Sequence, residues 1–214
     1  MRKASLGLLL LAVLLVGLTP MAMADTILQL TVDNCTGGCN PGPPGTSMGT
    51  VTLHDNLNGT VTVTIALVPP LMFVNTGLQE TIDFNLTGIT SGVTASNFSN
   101  SNFSLLSGTA GSNHFDGLGN FAYAITLNTV QGAGGAQASP LSFTIAATGL
   151  TAASFGANAN GFVFGVDVYN PTRNTTGPIG TSGGVPTVPE PSSMALLGSG
   201  LMGLAGVIRK RFGK

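Results

Sequence analysis

The sequence contains no tryptophan and few charged residues, since Asp, Glu, Lys and Arg together make up 7% of its 214 positions. Six of the seven basic residues lie within the first three or the last six positions. Between Asp25 and Val188 only Arg173 is basic, against seven acidic residues, so this segment has a net charge of −6. A segment without lysine cannot neutralise a run of phosphates, and we therefore expect no nucleic-acid partner.

Cysteine and histidine are equally scarce, with two residues of each. Cys35 and Cys39 stand in a Gly-rich segment, and no second cysteine pair or histidine cluster accompanies them. Structural zinc sites use four such ligands, so we predict no metal and no other cofactor. In an exported protein such a pair forms a disulfide, and a bridge across so short a loop pins a turn.

Residues 1–24 have the pattern of a secretory signal peptide. Arg2 and Lys3 form a basic start, and Leu6–Leu18 is a continuous uncharged, apolar run. This run is shorter than the about 20 residues that a membrane-spanning helix needs. Ala22 and Ala24 supply the small residues of a cleavage site, so we predict cleavage after Ala24, with an uncleaved anchor as the alternative.

Residues 188–214 form a tail with three parts in a fixed order. A polar approach, Val188–Ser193, leads into an uncharged stretch, which is followed by a basic cluster: Arg209, Lys210 and Arg211. The uncharged stretch 192–208 is just long enough for a spanning helix, whose lower limit is roughly 17 residues. Basic residues stop transfer on the cytoplasmic side, which places the preceding chain outside the cell. The residues alone predict a single transmembrane helix over 192–208.

This tail resembles the PEP-CTERM sorting signal of Gram-negative bacteria. The resemblance rests on Pro189, Glu190 and Pro191, which stand directly before the short apolar stretch and the basic cluster. It implies that an exosortase in the inner membrane recognises these three residues and cuts nearby. It also implies delivery to the cell surface or extracellular matrix of bacteria that make exopolysaccharide and biofilm, so exopolysaccharide becomes a further candidate partner. The resemblance covers only the tail.

The segment between the two ends alternates apolar and polar residues, as strands with one buried face do. Val61, Val63, Ile65 and Leu67 are the clearest example, with threonines between them. About eight such runs are separated by Gly, Asn and Pro, and none has a 3.6-residue apolar period. We therefore predict an all-β domain over residues 25–176, an antiparallel β-sandwich of which the jelly roll is one version. Residues 177–187, rich in Gly, Thr and Pro, indicate a flexible stalk.

One pattern in this domain is typical of serine hydrolases. Gly45–Gly49 matches G-x-S-x-G around Ser47, and Asp83 and His114 follow in the order that an α/β-hydrolase uses. That motif requires a helix after the serine, whereas residues 50–53 alternate like a strand. We therefore predict no catalytic residues here.

Two other groups of residues are equally weak candidates for a functional site. His54–Asp55 and His114–Asp116 would bind a metal only if the fold brought them together. Glu80 and Asp83 could serve as a glycosidase carboxylate pair, but their odd spacing puts them on opposite faces of one strand.

The combined prediction is an exported, non-enzymatic surface or matrix protein whose β-sandwich is structural or adhesive. The first alternative is a carbohydrate-binding module, which usually presents aromatic residues, whereas this chain has no tryptophan and only two tyrosines, Tyr123 and Tyr169. The second alternative is an exported hydrolase.

Overall fold

The structure is a computed structural model that describes residues 25–77, 80–181 and 200–201. The described residues from Asp25 to Thr181 belong to one compact unit. They form two short 3₁₀ turns, Ala133–Gly135 and Ala152–Ser154, and fourteen strands. The strands are β1 (Thr26–Asp33), β2 (Gly49–Asp55), β3 (Thr60–Leu67), β4 (Met72–Phe73), β5 (Glu80–Leu86), β6 (Thr94–Ser96), β7 (Phe103–Leu105), β8 (Asn113–Phe115), β9 (Gly119–Phe121), β10 (Tyr123–Leu127), β11 (Leu141–Ala146), β12 (Phe155–Gly156), β13 (Phe164–Asn170) and β14 (Thr175–Thr181).

Twelve of these strands form one antiparallel sheet in the order β6-β11-β3-β2-β1-β14-β13-β5-β10-β7, with β12 on β5 and β4 on β13. Strand β1 joins the two halves of this sheet. One half consists of β2, β3, β11 and β6, and the other consists of β14, β13, β5, β10 and β7. Its residues Thr26–Gln29 pair with β2, and Leu30–Asp33 pair with β14, with a register shift between Leu30 and Val32. A strand that switches partners at such an irregularity turns the sheet around the core. The end strands β6 and β7 lie beside each other, so the sheet is barrel-like.

The inward faces of both halves fill a single hydrophobic core. Val63 and Phe143 come from the half that contains β3 and β11, and Phe84 and Phe164 come from the half that contains β5 and β13. All four side chains are fully buried. The Phe84 ring stacks on Tyr123 and on Phe164, with ring centroids 5.6 and 5.9 Å apart. Alternation along each strand therefore produces the core that the sequence pattern predicts.

A second, smaller cluster lies on the outer face of the sheet. The hairpin of β8 and β9 places Phe115, Leu118 and Phe121 there, packed against Val32 and Phe162. The sheet beneath this hairpin has no side chain at Gly165, where a Cβ atom would come within 2.6 Å of the Phe115 ring. Glycine at that position lets the hairpin sit directly on the strand backbone.

The prediction of an all-β antiparallel domain is confirmed, and three of its details change. The described residues contain fourteen strands instead of about eight, because strands of two or three residues such as β4 and β12 are too short to alternate. The two halves also form one continuous sheet, since β1 belongs to both. Residues 177–181 lie within β14, where Ile179 and Gly180 pair with both β1 and β13, so the domain extends past the expected boundary at residue 176.

The predicted signal peptide 1–24 lies outside the described residues, as does the stalk from residue 182 onward. The predicted transmembrane helix 192–208 also lies outside them, apart from Gly200 and Leu201, which are helical. Within the portion of the chain that the structure describes, no helix has the length and apolar character needed to cross a membrane.

Candidate functional site

The two cysteines of the sequence are joined in a disulfide at the end of β1. The Asp33 carboxylate accepts backbone N–H bonds from Cys39 at 2.9 Å, from Asn40 at 2.9 Å and from Cys35 at 3.1 Å. One acidic side chain thereby satisfies three amides of the bridged loop. Asp33, Cys35 and Cys39 are the one group of three His, Cys, Asp or Glu side chains among the described residues whose ligand atoms all lie within 4.8 Å of one another. Both sulfurs are held in the bridge, so neither is a thiolate ligand.

A depression of about 340 Å³ opens beside this loop. Asp33 and Asn40 line one side of it, and Arg173 lines another. The guanidinium of Arg173 is the one basic group between Asp25 and Val188, so this is the position where the described surface offers a cation. The depression is open to solvent, and most of the residues that line it lie in the loop between β1 and β2.

The residues of the serine-hydrolase pattern do not have the local structure that the motif needs. The Ser47 hydroxyl donates to the backbone carbonyl of Gly49 at 2.7 Å, and the chain continues directly into β2. His54 on β2 bonds Asp25, with Nδ1 and Oδ1 2.7 Å apart. His114 on β8 bonds the side chain of Asn120 at 2.7 Å. Both histidines are exposed and have different partners.

Two buried aspartates lie on the outer face of the sheet, next to the β8–β9 hairpin. Asp83 is 0% exposed and Asp167 is 4% exposed. Asp83 stands opposite Gly165 in the pairing of β5 with β13, and Asp167 follows two residues later on β13. Because Ile82 and Val166 point into the core, the alternation of both strands turns the aspartates to the opposite, outer face.

Asp167 is held by the segment that precedes β5. Thr76 donates to Asp167 Oδ2 through its backbone N–H at 3.0 Å and through its hydroxyl. The Val74 N–H bonds the Asp167 backbone carbonyl at 3.1 Å, so residues 74–76 run alongside β13. The second carboxylate oxygen of Asp167, Oδ1, has no hydrogen-bond partner, and neither oxygen of Asp83 has one.

Burial raises the pKa of both aspartates. The pKa of Asp83 is raised to about 9 by burial, with the charges of Glu80 and Asp167 adding to the effect. The pKa of Asp167 is raised to about 7 by burial, against the hydrogen bonds from Thr76 and Val168, which favour its ionised form. Burial also raises the pKa of Glu80, which the neighbouring His114 opposes. These carboxyl groups hold protons at pH values where exposed carboxyl groups have lost them.

The sequence pattern draws attention to Asp83 with Glu80 and does not single out Asp167. The missing partner lies on β13, far along the chain from β5, so no local spacing connects the two. The available signal was Phe164-Val166-Val168, whose alternation puts Asp167 on the outer face of a strand that is buried on both sides.

The residues predicted for sorting and cleavage all lie outside the described residues: Ala22, Ala24, Pro189, Glu190, Pro191, Arg209, Lys210 and Arg211. Comparison with known proteins bears on the C-terminal group. No curated protein and no solved structure matches the chain. A family model described as the PEP-CTERM protein-sorting motif matches residues 187–211. The match confirms the resemblance and covers the same part of the chain: residues 187–211 are a PEP-CTERM protein-sorting motif.

Proposed function

We propose that this chain is an exported cell-surface or extracellular-matrix protein, processed by an exosortase, with a non-catalytic structural or adhesive β domain. The observation that carries the proposal is the sorting motif at residues 187–211, in a chain whose amino-terminal segment has signal-peptide character. The motif supports export and sorting at the envelope of a Gram-negative bacterium. The structural or adhesive role of the β domain at that location is the part of the proposal that goes beyond the motif.

The order of the tail residues suggests how sorting would proceed. The basic cluster Arg209, Lys210 and Arg211 would stop transfer and hold residues 192–208 in the inner membrane. Pro189 and Pro191 would then keep the preceding peptide extended, because proline fixes φ and disfavours helix in the residue before it. Glu190 adds the only acidic charge in the tail. An accessible, extended peptide with one charge is a suitable substrate for a membrane-embedded processing enzyme.

Two observations support a non-catalytic domain. The side chains that could have formed a hydrolase, Ser47, His54 and His114, bond to three unrelated partners. The sheet also brings its end strands β6 and β7 together, which protects strand edges that would otherwise pair with other chains. A sheet without a long open edge suits a protein that persists outside the cell.

The carbohydrate-binding alternative has less support. Such modules present aromatic rings to the sugar, and the chain offers two tyrosines. Tyr123 is 1% exposed and belongs to the core. Tyr169 remains partly exposed, and its hydroxyl bonds Asn174 at 3.1 Å.

Intact mass spectrometry of the protein recovered from the native cell surface tests the proposal. We expect a chain that begins at Asp25 and ends between Pro189 and Ser192, alone or with a constant added mass. The triple variant P189A/E190A/P191A should keep its tail through Lys214 and stay in the membrane fraction. Pro186→Ala, just outside the matched segment, is the control and should be processed normally. A wild-type chain that runs through to Lys214 would contradict the proposal.

A further inference from the structure

The buried polar atoms that lack hydrogen-bond partners are concentrated in one region. Among the described residues, five buried side-chain atoms have no partner, and all five are oxygens. Four of them are both carboxylate oxygens of Asp83, Oδ1 of Asp167 and the Thr81 hydroxyl. The fifth, Asn75 Oδ1, belongs to the residue beside Thr76, which bonds Asp167. Buried polar groups in folded proteins nearly always have partners, so this concentration requires an explanation.

The pairing of β5 with β13 brings three of these side chains to the same place. Asp83 is opposite Gly165, so Asp167, two residues later on β13, is its diagonal neighbour, and Thr81 lies two residues before Asp83 on β5. All three side chains point to the outer face, because Ile82 and Val166 point inward. Directly opposed side chains have Cβ atoms about 5 Å apart, and diagonal neighbours are about 7 Å apart. One small ion between the strands could therefore contact all three.

The charged side chains in this region are acidic, apart from the histidine His114, which neighbours Glu80. Asp83, Asp167 and nearby Glu80 are all acidic, and none of them forms an ion pair among the described residues. Arg173, the one basic residue between Asp25 and Val188, lines the depression beside the disulfide loop. Burying a carboxylate without a compensating charge costs several kcal/mol, on the order of the stability of a whole domain. A bound cation would remove that cost.

The Thr81 hydroxyl is the observation that points to a ligand independently of the acidic residues. Its side chain is 0% exposed, lies on the same strand face as Asp83 and has no hydrogen-bond partner. The lone pairs of this hydroxyl are therefore free to coordinate a metal. A neutral oxygen beside two carboxylates is the mixed, all-oxygen ligand set that calcium takes.

We propose that Asp83, Asp167 and Thr81 bind a calcium ion on the outer face of the sheet, under the β8–β9 hairpin. The carboxylates supply charge and the hydroxyl supplies a neutral ligand, and water completes the coordination. Gly165 has no side chain between the aspartates and the hairpin, so Phe115 packs onto the strand next to the site. Calcium binding is then coupled to the docking of this hairpin. The inference goes beyond the proposed function and does not depend on sorting.

Thermal unfolding of the full exported protein in CaCl₂ or in EDTA tests the proposal. We expect calcium to raise the midpoint by about 5–10 °C, the shift that a saturating ligand produces in a domain of this size. Isothermal titration with CaCl₂ should give one site per chain. Asp83→Asn, Asp167→Asn and Thr81→Val should each reduce the calcium-dependent shift to a small fraction of the wild-type value.

Asp116→Asn is the matched control, because Asp116 lies in the same hairpin region with its side chain 97% exposed. This variant should keep the full calcium shift. Thr81→Val keeps both carboxylates and nearly the same shape, so it tests the site even if an aspartate variant does not fold. Equal midpoints in CaCl₂ and EDTA for the wild-type protein would overturn the proposal. An equal calcium shift in wild type and Thr81→Val would also overturn it.

Discussion

Asp83 is the residue whose environment departs furthest from that of an exposed side chain of its type. It is completely buried, faces Asp167 and Glu80, and has a pKa raised to about 9. In the unfolded chain the same carboxyl group loses its proton near pH 4. Without a bound cation, the folded state therefore retains this proton between about pH 4 and pH 9, whereas the unfolded state has released it.

This difference in bound protons determines whether the free energy of unfolding of the metal-free protein rises or falls with pH. Between about pH 4 and pH 9 the folded state binds more protons than the unfolded state, so the free energy of unfolding falls as pH rises. Asp167, with its pKa raised to about 7, acts in the same direction over the lower part of that interval. In EDTA, we expect the thermal midpoint to decrease steadily from acidic to alkaline pH.

Asp83→Asn should remove most of that decrease, because the amide does not titrate and keeps the shape of the acid. Asp116→Asn, which changes an exposed carboxyl group, should leave the slope unchanged. The measurement is the thermal midpoint across this pH range for the three proteins. A midpoint of the wild-type protein that rises with pH would show that Asp83 is ionised and compensated in the folded state.

At the scale of the element, the β8–β9 hairpin can pack on the strand below it only because that strand has a glycine, Gly165, at the point of contact. A Cβ atom at Gly165 would lie 2.6 Å from Cδ2 of Phe115 and 3.1 Å from a methyl group of Leu118. Real Cβ atoms do not approach other heavy atoms that closely, so the hairpin would have to lift. Overpacking of this kind costs about 1–3 kcal/mol.

We therefore expect Gly165→Ala to lower the free energy of unfolding by about 1–3 kcal/mol. It should also increase hydrogen exchange at the amides of residues 113–121, since the hairpin would no longer pack on the strand. Gly134→Ala is the control, because the nearest atom to its added Cβ would be 3.8 Å away. Urea unfolding and hydrogen exchange measure both effects. Equal stability and exchange in the two variants would show that the hairpin adapts without cost.

The sequence identified the long strands because their alternation is a local property. β3 shows this best, with buried residues at every second position from Val61 to Leu67. The end of the domain was not predictable in the same way. Gly177 and Pro178 suggested a flexible stalk, yet both lie in β14, where a Cβ at Gly177 would be 2.7 Å from the Cα atom of Cys35. Glycine there permits close packing, and sequence alone does not distinguish that use from flexibility.

The buried acidic site was even harder to predict from the sequence than the end of the domain. Asp83 was visible as a candidate, but its odd spacing from Glu80 argued against a pair within one strand, a rule that the register shift between Ile82 and Glu80 breaks. Its partner Asp167 becomes a neighbour only through the pairing of β5 with β13. Strand order across a sheet depends on long-range contacts, so a single sequence specifies the members of the site without specifying that they meet.

At the scale of the whole molecule, the proposed role depends on both the domain and its sorting motif. We expect a strain that lacks this protein to lose cell aggregation or biofilm cohesion. The wild-type gene should restore cohesion, and the P189A/E190A/P191A form should not, because its domain would remain at the membrane. Aggregation and biofilm assays on these strains make the comparison. Unchanged cohesion in the deletion strain would contradict a structural or adhesive role.

The position of β1 in the sheet has a consequence for the timing of export. β1 directly follows the predicted cleavage site at Ala24, and it pairs with β2 on one side and with β14, the last strand of the domain, on the other. During translocation from the amino end, β2 emerges soon after β1, but the other edge of β1 stays unpaired until Thr181 has crossed. The domain therefore completes its sheet only when the segment immediately before the sorting motif has left the translocon. An exosortase that acts on Pro189, Glu190 and Pro191 consequently meets a substrate whose last strand is already available for folding.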